Sequence, residues 1–191
     1  MASKKEITVG EWKKEKSVKE QSLIKYLPEE FADILNRKTK DFVFSPDQNL
    51  VLYTASASAA LPNNLIAQLP GASTQAQERN IQSGHTYVYD IKEDRNFLMT
   101  DQPVQISSEV DQVANSPLSA IRWMSTSRHL LFALPEKIVI MDYDGTNREV
   151  VYSGSYISPF AFPFNNTTRL LILTNLGGAS TTPNLYTLTI K

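Results

Sequence analysis

Asp41-Phe-Val-Phe-Ser-Pro-Asp-Gln-Asn-Leu-Val-Leu-Tyr-Thr54 decides the fold class. A short run of β-formers, Asp41–Phe44, meets a Ser-Pro-Asp-Gln-Asn turn and continues as an unbroken apolar run, Leu50–Ala55. Pro presets a turn backbone and Asp bonds neighbouring amides, so the reading is strand, tight turn, strand. Apolar side chains at every position, rather than at alternate ones, predict a second strand covered on both faces.

The pattern recurs twice. Ala120-Ile-Arg-Trp-Met-Ser-Thr-Ser-Arg-His-Leu-Leu-Phe-Ala133 and Phe160-Ala-Phe-Pro-Phe-Asn-Asn-Thr-Thr-Arg-Leu-Leu-Ile-Leu173 each place a short strand, closed by an aromatic residue, before a polar turn and a solid apolar strand. Trp123 and Phe162 are the closing aromatics, matching Phe44. A third strand follows in each unit, at Thr86–Ile91, Lys137–Asp142 and Leu185–Ile190, and the first two units add a fourth at Asn96–Met99 and Glu149–Tyr152. Tandem four-stranded antiparallel units of about 40 residues are the pattern of β-propeller blades. The predicted fold is all-β: a partial β-propeller of three blades, at 41–99, 119–152 and 159–191. Three units do not close a ring, which takes four or more. The chain thus reads as the end of a longer parent, with Ile7–Val9 as an outer strand.

Residues 1–40 form a lead-in of different texture, with ten of the 19 Lys and Arg against seven of the 20 acids, hence +3 there and −4 beyond. Glutamates interspersed among the lysines predict a solvated, partly helical segment. Within it Glu6–Gly10 predicts a short strand. Leu27–Asn36 predicts the one helix, with Pro28 near its start, acids in its first turn, and Arg37 and Lys38 closing it. Phe31, Ile34 and Leu35 would share one face.

Composition removes several classes of function. No cysteine means no disulfide, no thiol nucleophile and no cysteine zinc site. A net charge of −1 argues against a globally basic nucleic-acid binder. No run of about 18 apolar residues is present to span a membrane, and the start lacks the apolar stretch of a signal peptide. Asp142-Tyr-Asp-Gly-Thr-Asn147 resembles the opening of a calcium loop, but the twelfth position, where such a loop needs an acid, is Ser153. His85 and His129, the two histidines, do not make a metal site on their own. No Gly-x-Ser-x-Gly occurs. Neither a cofactor nor a metal is expected.

Phe44-Ser-Pro-Asp-Gln-Asn-Leu-Val-Leu-Tyr53 and Ile138-Val-Ile-Met-Asp-Tyr-Asp-Gly-Thr-Asn-Arg148 resemble the repeats of TolB-like, WD40-like bacterial β-propellers, which pair a Ser-Pro-Asp-Gly turn with a later Asp-Gly turn. The chain also resembles the carboxyl-terminal propeller part of PEGA-containing envelope proteins. Gln48 departs from the family pattern, where Gly is usual, and Ser125–Arg128 and Asn165–Arg169 lack Ser-Pro-Asp. The resemblance implies the bacterial cell envelope.

Two long connections, Ser56–Gly84 and Asp101–Leu118, would emerge on one face of such a propeller. Leu65, Ile66, Leu69 and Pro70 with Val104, Ile106 and Val110 are predicted to form a binding ridge there. The expected function is a non-catalytic interaction module, or the carboxyl-terminal fragment of one, whose loops bind a protein or glycan and whose open blade edges favour self-association. The alternative is a glycan-active propeller enzyme with its site in the central channel. For that, the inner strands offer only Asp41, Arg122 and Trp123.

Overall fold

The structure, a computed structural model, describes residues 4–67, 74–106, 118–164, 168–176 and 182–190. After helices α1 (Lys4–Ile24) and α2 (Glu29–Lys38) come three antiparallel sheets in chain order. The first contains β1 (Thr39–Phe44), β2 (Leu50–Ala55), β5 (Thr86–Asp90) and β6 (Arg95–Thr100), with a small hairpin, β3 (Ala59–Ala60) and β4 (Asn80–Ile81), inserted between β2 and β5. The second is β7 (Ala120–Trp123), β8 (His129–Leu134), β9 (Lys137–Asp142) and β10 (Glu149–Ser153). The third has β11 (Ala161–Pro163), β12 (Arg169–Thr174) and β13 (Asn184–Thr189). The described sheets stay open and close no ring.

The repeat is carried by register as well as by composition. Phe44 pairs with Val51, Trp123 with Leu130 and Pro163 with Leu170, seven positions on in each case. Leu50 pairs with Asp90, His129 with Asp142 and Arg169 with Thr189. Equivalent bonds close the turns: the amides of Ser45, Met124 and Phe164 donate to the carbonyls of Leu50, His129 and Arg169 at 2.9, 3.0 and 3.0 Å. Pro163, not Phe162, therefore closes the first strand of the third unit.

The first turn shows why Ser-Pro-Asp suits it. Ser45 Oγ donates to Asp47 Oδ1 at 2.6 Å and accepts the Leu50 amide at 3.0 Å, while Asp47 also accepts from the Asn49 amide. Gln48 and Ser127, at the same place in successive turns, both have left-handed backbones, with φ of 64° and 60°. Consecutive turns also touch, since the Asp47 amide donates to Ser127 Oγ at 2.9 Å.

Sheet-on-sheet burial builds the core. Leu50, Leu52, Val88 and Phe97 of the first sheet meet Ile121, Leu130, Phe132 and Met141 of the second. On the second sheet's other face, Leu131, Ala133 and Ile138 meet Ala161, Leu170 and Ile172 of the third. Helix α2 covers the remaining face of the first sheet. Phe31, fully buried, stacks on Tyr89 with centroids 3.9 Å apart and meets Tyr53 edge-on at 5.6 Å. Burying one such ring stabilises by roughly 1.5–3 kcal/mol. Ile34 and Leu35 complete the predicted apolar face of α2.

The lead-in departs from the reading at two points: Leu27–Asn36 does not hold the one helix, since α1 precedes α2, and the expected strand is absent. Glu6–Gly10 is helix, so Ile7–Val9 supplies no strand. Ten of the 21 residues of α1 are Lys or Glu, straight-chain helix formers, and the Lys16–Glu20 pair at 3.8 Å adds an i,i+4 contact. Helix propagation across five residues overrides the local β-preference of Ile-Thr-Val. No described helix is long and apolar enough to cross a membrane.

Candidate interaction surface

The predicted ridge does not form as drawn. Val104 and Ile106, 7% and 3% exposed, lie in the core between the first and second sheets. Gln105, between them, pairs in parallel with Ala120 and lays this segment along the edge of β7. Alternation along that short strand turns both aliphatic side chains inward. Leu65 packs half-buried against the core under α2, and Ile66 is also half-buried. Leu69, Pro70 and Val110 lie outside the described residues.

An ion pair helps to hold the insertion after β2, whose Leu61 and Ile81 are buried in the core under α2. Arg79 Nη2 donates to Asp94 Oδ1 at 2.9 Å, with side-chain exposures of 11% and 4%. Arg79 Nε donates to the Leu61 carbonyl at 3.2 Å and Nη1 to the Asp94 carbonyl at 2.6 Å. Asp94 also accepts the Tyr89 hydroxyl and the Leu65 amide, both at 2.8 Å. Burial, reinforced by that bond and by the Asp94 charge, holds the Tyr89 phenol well above its ordinary value. Nearby, Tyr53 donates to Asn96 Oδ1 at 2.9 Å and Asn96 Nδ2 donates to the Glu78 carbonyl at 2.6 Å. These polar groups are spent on one another, as a buried network requires. A cleft of about 720 Å³ opens beside this region, between α2 and the β3 segment, with Glu29, Asp33, Arg37 and Lys38 at its polar lip.

The inner-strand candidates are not brought together as one catalytic group. Asp41 is exposed on β1. Trp123 packs on the core between the first two sheets and donates from Nε1 to the Val43 carbonyl at 3.1 Å, tying β7 to β1. Arg122 is buried on the opposite face, with its guanidinium carbon 4.4 Å from the Phe162 ring centroid.

One constellation went unseen in the sequence. Thr126 Oγ1 and His129 Nδ1 are 2.9 Å apart, and His129 Nε2 stands 3.4 Å from Asp142 Oδ1. The spacing resembles a hydroxyl–imidazole–carboxylate relay. Thr126 Oγ1, however, already accepts the amides of Arg128 and His129, and Asp142 Oδ2 accepts Asn147 Nδ2 at 2.6 Å. The group is thereby a turn lock. It arises because His129 and Asp142 are cross-strand partners, a register that sequence spacing alone does not show. Asp142–Asn147 likewise forms a turn, closed by the Gly145 amide on the Asp142 carbonyl at 2.9 Å. Among the described residues no cluster of three or more His, Asp or Glu side chains could hold a metal ion.

The largest contrast in the molecule lies between the two ends of the sheet stack. Cross-strand pairing places Leu171, Leu173 and Leu185 on the face of the third sheet turned away from the second. Leu185 is 63% exposed, and Leu171 and Leu173 are half-buried. Among the described residues the third sheet has three strands, with β13 at its edge, where the first two sheets have four. No protein-family model matches this chain, and no curated protein matches it.

Proposed function

We propose that the chain is a non-catalytic interaction module of β-propeller type, in which the three sheets are consecutive blades of a TolB-like, WD40-like arc. The carrying observation is the apolar outer face of the third sheet, Leu171, Leu173 and Leu185, beside the edge of β13. The other two inter-sheet gaps are filled by like sheets meeting through Leu, Ile, Val and Phe side chains, so the occupant that fits this face is another sheet of the same kind. In the isolated chain that sheet comes from a second copy. An exposed apolar face beside an unpaired edge favours such association.

Sedimentation velocity across a hundredfold range of concentration tests this. Wild type is expected to associate with rising concentration, and Leu185→Lys, a change at an exposed position, is expected to suppress it. A wild type that stays monomeric throughout overturns the reading.

A further inference from the structure

Arg79 and Arg122 show opposite fates. Arg79 places every nitrogen against an acceptor, including the carbonyls of Leu61 and Pro62 and the carboxylate of Asp94. Arg122, only 7% exposed, has one side-chain hydrogen bond among the described residues, from Nη1 to the Pro159 carbonyl at 3.2 Å. Its Nε and Nη2 are both buried and have no acceptor among the described residues. Those two nitrogens share one edge of the guanidinium, the edge that grips both oxygens of a carboxylate at once. The Phe162 ring lies over the guanidinium, with its centroid 4.4 Å from Cζ. Burial pushes the Arg122 pKa down to about 10, with only the Tyr156 phenol acting the other way, so the group is still a cation at neutral pH.

A complementary orphan stands beside it. The Gln105 amide donates to the Ser119 carbonyl at 2.9 Å and its carbonyl accepts the Ile121 amide at 2.8 Å, which makes Gln105 the partner of Ala120. Bridge partners share a face, and Arg122 lies two positions beyond Ala120 on that face. Val104 and Ile106 turn to the opposite side, into the core. Gln105 Oε1 is buried and has no donor among the described residues. Native structures rarely leave such groups unpaired, so three of them on adjacent strands call for a single explanation.

We propose that Arg122 and Gln105 form a receptor for a carboxylate with an N–H donor beside it, the arrangement at the carboxyl terminus of a peptide. The Nε and Nη2 donors of Arg122 take the two carboxylate oxygens, and Gln105 Oε1 accepts the neighbouring N–H. Phe162 covers the flat face of the guanidinium, so the ligand enters edge-on and displaces local cover from the two donors. This site does not rest on the reading of the third sheet's outer face.

The test follows the Arg122 Nε–H resonance by NMR in the full chain, assigned through bonds, while three probes are added. N-acetylglycine has both features, acetate has only the carboxylate, and N-acetylglycinamide lacks the carboxylate. N-acetylglycine is expected to shift the resonance saturably, acetate to bind about fivefold more weakly for want of one hydrogen bond, and the amide to do nothing. Gln105→Leu should weaken N-acetylglycine to the level of acetate and leave acetate unchanged. Arg122→Lys should abolish both, and the wild-type probe series decides the matter even where a variant fails to fold. A resonance indifferent to the acids at tens of millimolar, or one that answers the amide equally, overturns the proposal. Equal affinity for acetate and N-acetylglycine overturns it too, by removing Gln105 from the site.

Discussion

Replacing Gln48 by glycine is expected to stabilise the protein. Gln48 is exposed and its backbone is left-handed, with φ of 64°. An L-residue with a Cβ pays roughly 1–2 kcal/mol for that conformation. Glycine removes the strain and gives back roughly 0.5–1 kcal/mol as extra freedom of the unfolded chain. The net gain is about 0.5–1 kcal/mol, or about 1–4 °C in Tm for a domain of this size. Far-UV circular dichroism during thermal and urea unfolding reads it, with an unchanged urea slope showing that stability alone has moved. Ser127→Gly supplies the control. Ser127 has almost the same φ, 60°, but is 4% exposed, and its Oγ accepts the Asp47 amide at 2.9 Å. Losing that acceptor leaves an amide unsatisfied at a cost of about 1–3 kcal/mol, which outweighs the conformational gain. The two equivalent turns should thus respond with opposite signs. A Gln48→Gly protein with an unchanged or lower midpoint refutes the argument from turn conformation.

Three further outcomes follow from the packing. Gly145→Ala is expected to lose about 1–3 kcal/mol by urea unfolding, because φ is +82° and an added Cβ would meet the Leu98 carbonyl oxygen and Met99 Cε, each at 3.3 Å. Asp94→Ala strands the Arg79 cation in a shielded site and should lose about 3–5 kcal/mol, with faster proteolysis in 56–67 as a second readout. Burial raises the pKa of Asp90 although its carboxylate accepts the Lys92 and Glu93 amides. The folded state therefore holds that proton more tightly than the unfolded one, and this group's contribution declines as pH rises from the ordinary carboxylate value through the raised one. Asp90→Asn should gain in stability relative to wild type across that interval, and a gap between their denaturation midpoints that does not widen with pH contradicts the sign.

The strands were legible because their signals are local. Ala120–Trp123 and Lys137–Asp142 match β7 and β9 residue for residue, and the apolar face of α2 was plain from Phe31, Ile34 and Leu35. Where the outcome depended on partners distant in sequence, the reading failed. Nothing near Glu6–Gly10 signals that the whole segment winds as helix, since that is decided by the Lys- and Glu-rich residues on either side. Val104 and Ile106 read as a loop because the segment becomes a strand only by pairing with Ala120, and its burial follows from that pairing. The β3–β4 hairpin, two residues a side, is too short for any periodic signal. Arg122 was noted as an inner-strand residue, but its unanswered donors become visible only when Pro159, Phe162 and Gln105 are placed around it.

The asymmetry of the stack has a consequence for stoichiometry. At one end α2 acts as a stopper, with Phe31 plugged into Tyr53 and Tyr89. In the association proposed above, two copies that meet through their exposed ends would carry both stoppers outward, so growth would halt at a pair. A head-to-tail contact would have to evict the helix and forfeit its aromatic seat. The proposed joining surface would thus yield a closed, self-complementary couple instead of a fibre.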